Sequence, residues 1–182
     1  MLTYLGQSFG KRESFDLSEA CLQSLPIHRA VMPTNVEMET DLPSPGPVIN
    51  GNLEQIQQVI TNLITNGWEA TGAGGGSIHL RVKTVLRAEV PAIHRYPSNW
   101  QPQDPVYACL EIVDDGCGIT EKDFENIFDP FFSSKFAGRG LGLAVILGIV
   151  RTHDGAVTVE SKLCEGSKFQ VFLPVSTEKI PW

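Results

Sequence analysis

One segment of this chain leaves little choice of fold. Apolar side chains fall at Leu53, Ile56, Val59, Ile60, Leu63 and Ile64, the 3.6-residue stripe of a helix with one buried face. Asn62 and Asn66 stand one turn apart, so they share a face beside or opposite that stripe and would line a cleft. Gly72, Gly74, Gly75 and Gly76 end the helix. Such a stripe needs a flat apolar partner, and the chain supplies strands to build one. Residues 77–86 alternate, 106–113 form a second run, and 156–161 and 167–175 form a closing hairpin about Gly166. Helices on one side and a mixed, mostly antiparallel sheet on the other make a two-layer α/β sandwich.

The remaining segments fill in around that frame. Asp16 or Ser18 caps a helix running to about Ser24, and residues 36–40 alternate as a strand. Residues 43–47 are a turn-rich link to a short edge strand at 47–50. Four prolines mark 87–105 as a long surface insertion with Trp100 near its tip. Thr120 caps a short helix, 128–140 reads as irregular and mobile, and 141–153 is a helix ended by Gly155. With 182 residues and 42% apolar content, one domain with short tails is expected. A net charge of −7 argues against non-specific nucleic-acid or anionic-membrane binding. No run has the length of a membrane span, and the first residues lack the order of a secretion signal. Cys21, Cys109, Cys117 and Cys164 are widely spaced, and read as reduced thiols rather than metal ligands or disulfides.

Three constellations carry chemistry. The amide oxygens of Asn62 and Asn66 are neutral hard ligands suited to Mg²⁺, although the pair taken alone reads more readily as a polar helix face in solvent. Asp114 ends an apolar strand before Asp115-Gly116-Cys117-Gly118-Ile119. Its carboxylate can accept from the exocyclic amine of adenine, and the glycines allow close approach, while the bland alternative is an Asp-Gly turn. Gly138-Arg139-Gly140-Leu141-Gly142-Leu143 precedes an apolar helix whose first amides would form an anion site, or is a plain flexible loop. It follows no strand, so a Rossmann reading fails. Lys135 and Arg139 could meet phosphate charge or simply be solvated.

Taken in order, with FDPFFSSK between the second and third, these stretches resemble the ATP-binding catalytic domain of sensor histidine kinases. That family belongs to the superfamily of gyrase-type, mismatch-repair and heat-shock-chaperone ATPases. TNLITNGWEA resembles the asparagine box, DDGCGI the first glycine box, FDPFFSSK the phenylalanine box and GRGLGLA the second glycine box. EGSKFQVFLP is similar to the closing strand. The resemblance implies the Bergerat ATP-binding fold with a mobile lid, residues 120–140, over ATP. It implies Asn66 on Mg²⁺, Asn62 beside the phosphates, and Asp114 on the adenine amine within a pocket shaped by Gly116 and Gly118. Ile119, Phe132, Lys135, Arg139, Gly140, Leu141, Gly142 and Leu143 complete the nucleotide set, and Ser167 stands near the adenine-bound water. Asn62 and Lys135 are the implied catalytic residues. Two departures stand out: Glu69 replaces a basic residue that reaches phosphate in many members, and Gly67 replaces the usual Ala, at about 1 kcal/mol of helix propensity.

Asn62 also separates kinase from hydrolase. The gyrase and chaperone branches carry Glu there as a base for water, and an amide cannot take a proton near neutrality. Phosphoryl transfer needs mainly alignment and charge stabilisation. The resemblance therefore implies transfer from ATP to a histidine on a separate dimerising helical hairpin, then to a response-regulator receiver domain. The hairpin's histidine would be followed by an acid. Only His153-Asp154 has that form, and it reads better as a helix C-terminus. The expected layout is therefore a stub of the hairpin's second helix at 1–13, the catalytic domain at 14–176 and a tail at 177–182. The full-length kinase would be a homodimer, cytoplasmic here and open to membrane anchoring upstream, with no nucleic-acid partner. A non-catalytic nucleotide-binding module, kept open by Glu69, and an anti-sigma-type serine kinase of the same fold are the alternatives.

Overall fold

A computed structural model describes residues 10–132 and 142–177. Eight strands and three helices follow in the order β1 (Glu13–Asp16), α1 (Leu17–Val31), β2 (Val36–Asp41), β3 (Val48–Gly51), α2 (Leu53–Thr71), β4 (Gly76–Leu86), β5 (Arg95–Tyr96), β6 (Val106–Asp114), α3 (Gly142–Thr152), β7 (Ala156–Lys162) and β8 (Gly166–Pro174). Six strands form the main sheet in the order β2-β4-β6-β8-β7-β5, and β1 pairs with β3 in a separate ribbon. The β2–β4 pair is parallel and the other pairs of the main sheet are antiparallel. The expected two-layer α/β sandwich is what forms.

Strand periodicity sorts the side chains onto two faces. Ile78, Leu80 and Val82 of β4, Ala108, Leu110 and Ile112 of β6, Val157 and Val159 of β7, and Phe169, Val171 and Leu173 of β8 join one core. Against them lies the stripe of α2, with Ile56, Val59, Ile60, Leu63 and Ile64 at 0–1% exposure. Each such burial contributes roughly 1.5–3 kcal/mol. Asn52 caps α2 by accepting from the Gln55 amide at 3.0 Å. Gly72, at φ 70°, ends it. The opposite face holds a smaller cluster of Val90, Tyr107, Cys109 and Phe172.

One expectation is corrected and another sharpened. The first helix does not stop near Ser24 but continues through Pro26 to Val31. Proline removes one helical hydrogen bond, yet Leu25 just before it and His28 just after it are buried, and His28 meets the Trp68 ring at 6.5 Å and the Thr61 hydroxyl at 3.4 Å. Tertiary packing outweighs the local breaker. The 87–105 segment lies on the surface, as expected, but it is not a bare loop. Arg95 and Tyr96 add the edge strand β5, and Trp100 folds back, donating to the Asp154 carbonyl at 3.0 Å and packing edge-on against Tyr107. Tyr96 then bonds the Phe124 carbonyl at 2.7 Å and tilts against Phe128 at 4.5 Å, while His94 stacks on Phe124 at 4.3 Å. The insertion is thus a brace for the residues after Thr120. Thr120 precedes a single 3-10 turn, Glu121–Asp123.

Candidate nucleotide site

The C-terminal end of β6 and the asparagine face of α2 frame one region. Asp114 has the parity of Ala108, Leu110 and Ile112, so its carboxylate points to the helical side, and it is buried to 5% exposure. Across the ladder its register partner is Ser167 of β8, also buried. The chain then turns sharply. The Gly116 amide donates back to Asp114 Oδ1 at 2.9 Å, and the Cys117 amide donates to the Ala70 carbonyl in the last turn of α2 at 2.9 Å. A Cβ on Gly116 would fall 2.4 Å from the Ala70 carbonyl group, so glycine is what lets this turn lie against α2. Gly118 adopts φ 70°, a conformation side chains rarely take, with the Lys162 carbonyl where its Cβ would be.

The neighbouring acid has a different task. Exposed Asp115 accepts from the Ser77 amide and hydroxyl, each at 2.8 Å, and those two bonds hold its carboxyl below the ordinary range. It fastens the turn to β4, leaving Asp114 directed inward.

A residue absent from the expected set completes this end. Ser161 of β7 accepts the Ile119 amide at 2.8 Å, meets the Ser167 hydroxyl at 2.8 Å and donates to the Gly166 carbonyl at 2.9 Å. It joins the glycine turn to the closing hairpin. The sequence signal was its parity with Val157 and Val159, which puts a polar side chain on the core face of a strand.

At the other end, α2 and α3 cross where Asn62 and Asn66 meet Gly142. Asn62 Nδ2 donates to the Gly142 carbonyl at 3.4 Å. A Cβ built on Gly142 would sit 3.5 Å from Asn66 Oδ1 and 3.6 Å from its Nδ2, so the first turn of α3 lies directly against the Asn66 amide. Asn66 Nδ2 is buried and lacks a hydrogen-bond partner among the described residues. Buried polar atoms are almost always satisfied, so this one marks a place for a group from outside. The amide can present its oxygen or its nitrogen to that place, one a ligand for a hard cation and the other a donor to an oxyanion.

Leu143, Ile119 and Phe132 are half-buried against the core beside this region. Phe131, at φ 69°, is instead 80% exposed. Lys135, Arg139, Gly140 and Leu141, with the rest of the expected lid after Phe132, lie outside the described residues. Glu69 of α2 is exposed, and Gly67 finds a packing reason: it is buried against β4 and β6, where a Cβ would come 3.1 Å from Ile78 Cγ2. A cavity of about 300 Å³ lined by Arg12, Asp104, His153 and Asp154, among others, is not part of this region. Among the described residues no cluster of three His, Cys, Asp or Glu could hold a metal, and no helix is long and apolar enough to cross a membrane. All four cysteines are free.

Residues 51–177 match the sequence profile of the histidine kinase-, DNA gyrase B- and HSP90-like ATPases. The chain belongs to this ATPase family. Among curated relatives, sporulation kinase C of Bacillus subtilis (strain 168) is 35% identical over 140 residues, 77% of this chain and 27% of that protein. Sensor kinase CckA of Brucella abortus (strain 2308) is 29% identical over 164 residues, 89% of this chain and 17% of that protein. The chain therefore spans about a quarter or less of these two relatives. Among solved structures, the catalytic domain of histidine kinase ThkA superposes with a TM-score of 0.72 at 23% identity, covering 91% of this chain and 96% of that one. The fold is that of histidine-kinase catalytic domains, and the chain is an ATP-binding ATPase-type domain similar to those of sensor kinases.

Proposed function

We propose that this ATPase-family domain binds Mg-ATP between the Asp114 end of the sheet and the α2–α3 crossing, and gives its γ-phosphoryl group to a histidine on a separate helical module. The observation that carries the reading is the pairing of two ends. A buried carboxylate faces the helices at one, and a half-buried amide, whose buried nitrogen has no partner among the described residues, faces the first turn of α3 at the other.

In this reading Asp114 accepts from the adenine amine, with Gly116 and Gly118 keeping backbone bulk out of the base's way and Ser167 beside it. Asn66 holds the metal and Asn62 positions phosphate, while the amides opening α3 at Gly142 and Leu143 face negative charge. The donor set fits Mg²⁺, which takes few protein ligands and fills its remaining positions from phosphate and water. Asn66 would hold that ion, whose positive charge would offset the charge developing on the transferred group. Lys135, Arg139, Gly140 and Leu141 would close over the phosphates from the lid. Asn62 cannot remove a proton, so the nucleophile must arrive activated by its own surroundings. That supports transfer to a protein side chain over attack by water.

His153 is a poor candidate for that nucleophile. It is buried, its Nε2 accepts the Asn52 amide at 3.0 Å, and its Nδ1 proton goes to the Ile149 carbonyl at 2.8 Å. The acceptor belongs to a phosphoacceptor hairpin, and a response-regulator receiver domain takes the group next. Residues 14–176 form the catalytic unit of a cytoplasmic, homodimeric kinase.

A purified histidine-bearing hairpin, incubated with this domain, Mg²⁺ and γ-labelled ATP, should acquire an acid-labile label. Label on serine would instead indicate a serine kinase, and an unlabelled hairpin with bound ATP would indicate a nucleotide-sensing module. Asn66→Ala should remove the Mg²⁺ dependence of ATP-analogue binding in calorimetry. An unchanged dependence would remove Asn66 from the metal site.

A further inference from the structure

The four cysteines divide into two kinds. Cys21 and Cys109 are buried, and desolvation pushes both thiols up to about 12, where the reactive thiolate is scarce. Cys117 and Cys164 are exposed, and they are neighbours despite lying 47 residues apart in sequence. The Cys164 amide donates to the Cys117 carbonyl at 2.8 Å. With the trigonal carbonyl placing Cα about 2.4 Å from its oxygen and N–Cα at about 1.46 Å, that contact bounds the Cα separation at roughly 6.7 Å, inside the range of about 4.4–6.8 Å that a disulfide spans. Cys164 sits at the tip of the β7–β8 turn with φ 64°. A side chain held in the left-handed region persists only where its surroundings enforce it. The close approach of Gly118 to Lys162 and Leu163 is part of that enforcement.

We infer that Cys117 and Cys164 are a modification site: a thiol pair that a hydroperoxide converts to an intramolecular disulfide, thereby setting the affinity of the adjoining nucleotide pocket. The first thiol gives two electrons to the peroxide O–O bond, yielding a sulfenic acid and releasing water from hydrogen peroxide or an alcohol from an organic hydroperoxide. The sulfur of the second attacks the sulfenic sulfur, the S–S bond forms, the S–O bond breaks, and the departing hydroxide leaves as water with the attacking thiol's proton. The peroxide is the two-electron oxidant and is fully consumed.

The link to the pocket is geometric and rests on the proposed ATP reading. Cys117 lies between Gly116 and Gly118, and its amide is already committed to Ala70. A disulfide draws the two Cβ atoms to about 3.8 Å. Gly116 has no room to follow toward α2, so the adjustment falls on its hydrogen bond to Asp114.

The test treats the 182-residue chain with hydrogen peroxide, traps remaining thiols and maps disulfides by mass spectrometry, with ATP-analogue affinity measured before and after. The expected result is a Cys117–Cys164 crosslinked peptide, absent in Cys164→Ser, and about a tenfold loss of affinity, reversed by a thiol reductant. Cys164→Ser should bind the analogue normally and lose the response. Independent over-oxidation of the two thiols, or disulfides between chains, would overturn the pairing. A mapped disulfide with unchanged affinity would overturn the coupling. If the reduced chain bound no analogue at all, the ATP reading would fail, while peptide mapping would still decide the thiol pair.

Discussion

Glu111 and Asp114 are buried carboxylates on the same strand, three residues apart and therefore on opposite faces of the sheet. Glu111 is saturated by this chain's own groups. Lys83 reaches it at 2.8 Å, Gln170 at 2.8 Å and Arg81 at 3.3 Å, and Arg81 also bonds Asp41 at 3.0 Å. Burial alone would raise the Glu111 carboxyl, but Lys83, Gln170 and Arg81 bring it below its usual value. Asp114 sits instead at the strand's end, where it accepts the amide of its own turn and has the parity of the core-facing side chains. One carboxylate closes a cross-strand ladder. The other borders a place shaped for something else. Burial of an acid therefore does not identify a site. What distinguishes the two is position: Glu111 lies mid-strand in a cross-strand ladder, and Asp114 lies at the strand's end against the glycine turn.

Mutation should separate the two roles. Glu111→Ala is expected to have the larger effect on folding, about 2–3 kcal/mol in urea unfolding. That is the scale of lost charged hydrogen bonds, discounted because Lys83 and Arg81 are both about a third exposed and can turn to water. Its ATP affinity should be unchanged. A parallel loss of binding would break the contrast. Asp114→Asn should do the reverse, weakening ATP binding by about 1.5–3 kcal/mol in a titration while barely moving the unfolding curve. An unchanged affinity would take the base-reading role from Asp114.

Acid should act next and more gently. Desolvation lowers the pKa of His153 in the fold, against the raising effect of the Ile149 carbonyl, so folding favours its neutral form. The stability it provides is complete above its unfolded value of about 6.5 and fades as pH falls below that. Protonation would deprive the Asn52 amide, at the cap of α2, of its acceptor. Glu111, with a lowered carboxyl pKa, keeps its contribution until more strongly acidic pH. Unfolding free energies measured from pH 7 to 5 should therefore decline in the native chain and decline less in His153→Gln, whose amide oxygen can still accept, the remainder coming from His28, whose pKa burial also lowers. A matching decline in the variant would remove His153 as the cause. The smallest effect is expected at Gly67. In Gly67→Ala the gain of about 1 kcal/mol in helix propensity is opposed by the tight approach to Ile78. Melting should show a net change within about 1 kcal/mol of zero, and a larger loss would mean that Ile78 cannot give way.

Much of the frame was legible because it repeats. The α2 stripe and the alternation in β4, β6 and the closing hairpin each encode a face locally. Runs read from periodicity became elements within a residue or two. What went unread depended on partners distant in the chain. The first helix read as ending near Ser24 ran on through Pro26, because Leu25 and His28 found their packing on other elements. The prolines of 87–105 spoke for a loop, but Tyr96 and Trp100 found acceptors at Phe124 and Asp154. Ser161 carried a faint signal in its parity, and no motif named it.

The sequence by itself settled which residue types could serve a nucleotide: an acid at the end of a strand, glycines that permit close approach, and amides one helical turn apart. These are properties of short segments, fixed by backbone geometry and side-chain chemistry. Only the tertiary structure decided that Asp114 and Ser167 share a rung, that Asn66 meets the first turn of α3, and that Cys117 lies against Cys164. Such contacts join residues 47 to 76 positions apart. Their geometry follows from how α2 and the hairpin pack on the sheet, a balance of burial over the whole core that no short segment contains.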